Sequence, residues 1–125
     1  MPRRGAATYL RVAHVRLRKS KARPRRVNPW VEDLQYELIE PISGSTIYSG
    51  ALPDDDSLKF HHICNRIFDW DAFRARIDKQ PYPIVFERNS GDALKFIYLD
   101  MRPFIGHFVE YVWACDEGWT RMGGR

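Results

Sequence analysis

From Lys59 to Trp113 the hydrophobic pattern changes period in a fixed order, and that order constrains the fold more than any other feature of the chain. Lys59 to Ile67 alternates as a strand does, with Phe60, His62 and Cys64 on one face and His61, Ile63 and Ile67 largely on the other. Asp69 then offers an N-cap oxygen to a helix running from Trp70 to about Lys79. Trp70, Phe73 and Ile77 fall on one stripe of that helix, which leaves Arg74, Arg76, Asp78 and Lys79 for water. Pro81 and Pro83 end it. Three strands follow: Ile84 to Glu87, Ala93 to Leu99 after the turn Asn89-Ser90-Gly91-Asp92, and Gly106 to Trp113 after Pro103. The predicted unit is βαβββ, an α+β arrangement.

Upstream, Leu34 to Glu40 reads as a strand stopped by Pro41, because proline lacks the N–H that a ladder needs. Ser43-Gly44-Ser45 and Pro53-Asp54-Asp55-Asp56 have turn and loop chemistry and enclose a short segment around Ile47 and Tyr48. Before them stand a leader (Met1 to Ala7), an apolar patch at Tyr9, Leu10, Val12, Ala13 and Val15, and a basic run closed by Pro24 and Pro29. A chain of 125 residues, 44% hydrophobic and 14% aromatic, is enough for one compact domain. The expected organisation is a basic N-terminal arm over 1–26, with a strand at 9–17, and a globular part over 27–125.

The net charge of +4 is unevenly spread. Residues 1–26 hold ten of the twenty Lys and Arg and no acid, whereas the rest holds ten basic and sixteen acidic residues, a net of −6. A run such as Arg16 to Arg26 attracts phosphate backbones through counterion release. It has no aromatic interleaving beyond Tyr9 and no reading motif, so a solvated arm is the favoured account and nucleic acid is disfavoured as a partner. The sequence shows neither a membrane-spanning apolar run nor a secretory leader, and its two cysteines, Cys64 and Cys115, read as thiols in a reducing compartment. The expected location is the cytoplasm, with no membrane partner.

Three ionisable residues recur at strand positions where a core-facing side chain is expected: Glu37, His62 and Glu110. Glu110 shares its face with Phe108 and Val112, and Glu37 shares one with Gln35 and Ile39. A carboxylate on such a face needs compensation from a metal or strong hydrogen bonds. Taken singly, each residue also has an ordinary reading, as a hydrogen-bonded core histidine or a glutamate on a solvated face. As a set, one imidazole and two carboxylates suit Mg²⁺, Mn²⁺, Co²⁺, Ni²⁺ or Zn²⁺, with water or substrate completing the coordination.

The wording around these residues is similar to that of the vicinal-oxygen-chelate superfamily, which includes glyoxalase I, methylmalonyl-CoA epimerase, extradiol dioxygenases and bleomycin-resistance proteins. Glu-Leu-Ile-Glu-Pro at 37–41, His-His-Ile-Cys at 61–64 followed by Asp69 and an amphipathic helix, and Gly-His-Phe-Val-Glu-Tyr at 106–111 stand in that superfamily's order and approximate spacing. The resemblance spans about eighty residues, 34–113, and is nearest to the glyoxalase-like and epimerase-like branch. It implies two βαβββ modules forming an open barrel around a divalent metal, with Glu37, His62 and Glu110 at ligand positions and His61 facing away. It also implies a first module larger than the 36 residues before Glu37 can build. Tyr9 to Leu17 is then a remnant inner strand, and His14, with no helix pattern between it and Glu37, is a poor candidate for the missing histidine ligand.

The function implied is that of a divalent-metal-dependent lyase or isomerase acting on a small oxygen-chelating substrate, with Glu110 as base and Gln35, Phe60 and Trp113 as substrate-binding candidates. A truncated first module leaves strand edges that a second copy would cover, which points to a homodimer. Two readings from other classes stand beside it: a non-catalytic small-molecule binder of the drug-sequestering kind, and a nucleic-acid-associated protein acting through its basic arm.

Overall fold

The computed structural model describes residues 10–15, 26–39, 47–48 and 59–124. The leader, most of the basic run and the turns expected at 43–45 and 53–56 lie outside them. Among the described residues eight strands form one mixed sheet: β1 (Leu10–Val15), β2 (Arg26–Val27), β3 (Trp30–Val31), β4 (Leu34–Ile39), β5 (Lys59–Arg66), β6 (Ile84–Asn89), β7 (Leu94–Asp100) and β8 (Phe108–Ala114). The helices described with them are α1 (Trp70–Ile77), α2 (Arg102–Ile105) and α3 (Asp116–Arg121). The fold is α+β, and β5–α1–β6–β7–β8 is the expected βαβββ unit. Among the described residues no helix is long and apolar enough to cross a membrane.

The sheet order is β2-β4-β1-β5-β8-β7-β6, with β3 also on β4. β1 therefore lies inside the sheet, parallel to β4 on one side and antiparallel to β5 on the other. β5 in turn runs parallel to β8. Two parallel pairs, β1–β4 and β5–β8, thus meet along an antiparallel seam centred where Val12 faces Ile63. An antiparallel seam has a local twofold axis normal to the sheet, so the two pairs are approximate copies of each other. Between β1 and β4 the chain places only the short strands β2 and β3 among its described residues, and both return onto β4.

On the outer face, α1 packs Phe73 against Ile97 and Leu99, with Trp70, Ile77 and Tyr111 around them. The helix begins as expected, with the Ala72 N–H donating to Asp69 Oδ1 at 3.0 Å. On the inner face, Cys64, Val112 and Ala114 pack with Trp119 of α3, a helix with no counterpart in the sequence expectations. Neither cysteine is in a disulfide. Past α3 the chain returns to the far side of the sheet: Trp30 Nε1 and Gln35 Nε2 donate to the Gly123 carbonyl at 2.8 and 3.1 Å, and Asn28 Nδ2 donates to Met122 O at 3.2 Å. Gly123 has φ 80°, and a Cβ there would stand 3.1 Å from Gln35 Nε2, so this turn requires glycine.

Candidate functional site

The site is centred on a β-bulge. On β1 the step from Ala13 to His14 is matched on β5 by a step from His62 to Phe60, which leaves His61 as the extra residue. The alternation expected from Lys59 onward breaks there. His61 does not face away: its ring stacks on Phe108 at 4.7 Å, and its Nδ1 lies 2.7 Å from His62 Nδ1. Phe60 is correspondingly shifted to the opposite face from His62, where its ring meets His107 at 4.8 Å.

Both histidines are buried, at 2% and 0% exposure, so their protons are fixed by their partners. His61 Nε2 lies 2.9 Å from the Ile47 carbonyl, which only accepts, and must donate to it. Burial pushes the His61 imidazole down to about 4, against the Ile47 bond and with help from His62, so it is neutral near pH 7 and its Nδ1 is an acceptor. His62 Nδ1–H then donates to it. The remaining atom, His62 Nε2, faces Glu110 Oε2 at 3.0 Å. One proton completes that bond, carried either by the imidazole or by the carboxyl group. The pair is thus built to hold, give up or take a single proton on buried groups.

Two tyrosines close the site. Tyr98 is opposite Glu110 in the β7–β8 register, and its hydroxyl lies 3.5 Å from His62 Nε2 and 2.9 Å from that of Tyr48. Burial, followed by the charge of Glu110, pushes the Tyr98 phenol well above its usual range, so it remains a neutral donor. Tyr48 and Tyr98 held no role in the sequence reading. Period two does put Tyr98 on the inner face of its strand, but nothing local marks either residue as part of a site.

Glu37, Glu110, Tyr48 and Tyr98 all line one cavity of about 190 Å³ on the inner face, beside Phe86 and Met122. The fold therefore brings Glu37 and Glu110 to the same cavity, and Glu110 to His62. The three expected substrate-binding residues are not among its walls. Gln35 is fully buried, and its amide donates to the Asn28 and Gly123 carbonyls. Phe60 is on the outer face. Trp113 shares the outer face with Tyr111 under strand alternation, with Lys95 Nζ 5.1 Å from its ring centre. A larger open hollow of about 560 Å³ lies beside α1, but its Arg74 is already paired with Asp78 and Glu87.

The donor set can be tested against a divalent ion. Two cis ligands each about 2.1 Å from one ion stand about 3 Å apart, which is the spacing of His62 Nε2 and Glu110 Oε2 at 3.0 Å. The tautomer derived above also leaves a lone pair on Nε2 when the proton departs. These two residues fit. Among the described residues no three His, Cys, Asp or Glu side chains are gathered around one point, so Glu37 must turn across the cavity to join them.

No family model and no curated protein matches the sequence. Solved structures do match its fold. A methylmalonyl-CoA epimerase from Mycobacterium tuberculosis superposes with a TM-score of 0.63 at 14% identity, over 86% of this chain and 87% of that one. Another methylmalonyl-CoA epimerase, in complex with methylmalonyl-CoA and NH4+, gives 0.58 at 12% identity, over 85% and 93%. A hypothetical protein from Bacillus halodurans C-125 gives 0.59 at 10% identity, over 88% and 96%. The chain has the vicinal-oxygen-chelate fold, as the motifs at 37–41, 61–64 and 106–111 imply.

Proposed function

We propose that this protein is an isomerase or lyase that moves a proton on a small, oxygen-rich substrate, with Glu110 as the base and His62 as its partner. The observation that carries this reading is the buried His62–Glu110 pair, 3.0 Å apart, with Glu110 on the cavity wall. The tautomer relay from the Ile47 carbonyl through His61 presents Nε2 to Glu110, and the Tyr98 hydroxyl beside it is a neutral donor for an oxygen that gains charge. Glu37, His62 and Glu110 are the residues that would hold a divalent ion, and such an ion would supply Lewis-acid stabilisation of an enolate oxygen. A cavity of about 190 Å³ is below the range of roughly 300–1,000 Å³ typical for drug-sized ligands, which favours a small acyl head group over drug sequestration.

The fold neighbours named for methylmalonyl-CoA point to a carbon acid next to a thioester as the first substrate to try. The test is α-proton exchange: methylmalonyl-CoA and simpler acyl thioesters incubated with the protein in D2O, followed by NMR, with and without added Co²⁺ or Mg²⁺. Exchange that disappears in Glu110→Gln supports the reading. Equal exchange by wild type and Glu110→Gln, or none with any substrate, rejects it.

A further inference from the structure

One wall of the inner cavity is aromatic. Phe86 of β6 and Phe96 and Tyr98 of β7 all line it. The ring centroids of Phe86 and Phe96 lie 5.3 Å apart, and that of Tyr98 lies 5.8 Å from either, so the three rings form one continuous surface. Tyr48 extends it, 6.3 Å from Tyr98. Carboxylates reach the same space from other strands, Glu37 from β4 and Glu110 from β8, and both are buried. Leu94, Val112 and Met122 complete the lining with apolar side chains. Arg88 is the basic side chain on these walls, and it is exposed, with its Nε donating to Ser90 Oγ at 3.1 Å. Water and salt screen that charge far more than they screen the buried glutamates.

We propose that this cavity binds a small alkylated ammonium ion, a tertiary or quaternary amine, held against the faces of Phe86, Phe96 and Tyr98 with Glu37 as its counter-charge. The face of an aromatic ring is negative, and it attracts a cation within about 6 Å of its centre, most strongly where water is excluded. The Glu37 carboxylate adds its charge to the same space, and Glu110 adds a second when the proton it shares with His62 is absent. Alkyl substitution follows from the remaining walls. Each N–H of a primary ammonium turned toward Leu94, Val112 or a ring gives up a hydrogen bond to water, whereas N-methyl groups give up none and gain apolar contact. The volume of about 190 Å³ limits the ligand to a compact head. The inference takes the cavity of the proposed isomerase but not its chemistry: the cation and an acyl head group compete for one space, and binding of the one is measured without turnover of the other.

The experiment is titration of the full chain with tetramethylammonium and, separately, with neopentyl alcohol, an uncharged molecule of similar shape, at constant chloride and followed by ligand-observed NMR. Wild type, Phe86→Leu and Glu37→Gln are compared, each first checked for a cooperative melt. Wild type is expected to bind the cation about tenfold more tightly than the alcohol, and each variant to lose most of that preference. Equal binding of the two ligands by wild type overturns the proposal, since the cavity is then merely apolar. No binding of the cation overturns it as well. A preference unchanged in either variant also overturns it, because the aromatic wall or its counter-charge then takes no part. If Glu37→Gln does not melt cooperatively, Phe86→Leu, at an exposed position, decides alone. None of these outcomes depends on proton exchange, so a failure here and a failure of the isomerase reading are told apart.

Discussion

His61 and His62 are consecutive in a β-strand yet point the same way, their Nδ1 atoms 2.7 Å apart, because the bulge in β5 removes the alternation between them. A residue that would otherwise face the outer layer becomes the one that fixes the tautomer of its neighbour. Replacing His61 by leucine keeps the volume and removes the acceptor, so His62 loses the partner that orients it. The expected effect is a loss of proton-exchange rate on the order of 10- to 100-fold, with the substrate's half-saturation concentration little changed. A kcat equal to wild type would show that His62 needs no such support.

Stability should fall in mild acid. His61 is held at about 4 in the folded chain, below its ordinary 6.5, so the unfolded chain takes up a proton that the folded one refuses. The contribution is fully present above about 6.5 and is lost progressively as pH falls toward 4, up to about 3 kcal/mol in all. Melting temperatures of wild type and His61→Leu measured from pH 7 to pH 4 will separate this from general acid effects. The wild-type curve should drop more steeply over that window.

The N-cap of α1 offers a control distant from the site. Asp69→Ala removes the acceptor of the Ala72 N–H and should cost about 1 kcal/mol in denaturant unfolding, with proton exchange unchanged. Loss of exchange at full stability would mean that α1 reaches the site in a way its packing on Ile97 and Leu99 does not indicate.

The β5-to-β8 unit was legible from hydrophobic period because each of its elements is amphipathic on its own, and Trp70, Phe73 and Ile77 packed as their spacing required. The pairing of Glu110 with His62 was legible for a similar reason: a carboxylate among Phe108 and Val112 needs a partner. What was hidden is non-local. A bulge is a mismatch between two strands, so the sequence of β5 alone cannot show that His61 turns inward. The register that sets Ala13 opposite His62, and so fixes where the bulge falls, depends on a pairing across 49 residues. Tyr48 joins the site from a short segment with no period of its own.

Self-association is expected through β6, one edge of the sheet among the described residues, where Val85 and Phe86 are 40% and 43% exposed. An open strand edge with apolar side chains pairs readily with its symmetry mate. Light scattering should give the mass of a homodimer, and Val85→Lys should shift it toward monomer. Monomer alone at high micromolar concentration would dismiss this arrangement.

The Gly123 carbonyl accepts from Trp30 and Gln35, donors 93 and 88 residues earlier in the chain. A ribosome delivering this polypeptide exposes Trp30 and Gln35 long before it supplies their acceptor. During synthesis, the hairpin of β3 and β4 is complete before the acceptor of its two donors exists. The final turn then acts as a latch. Until Gly123 arrives, the Trp30 indole N–H must donate to water, while the Gln35 amide keeps only the Asn28 carbonyl.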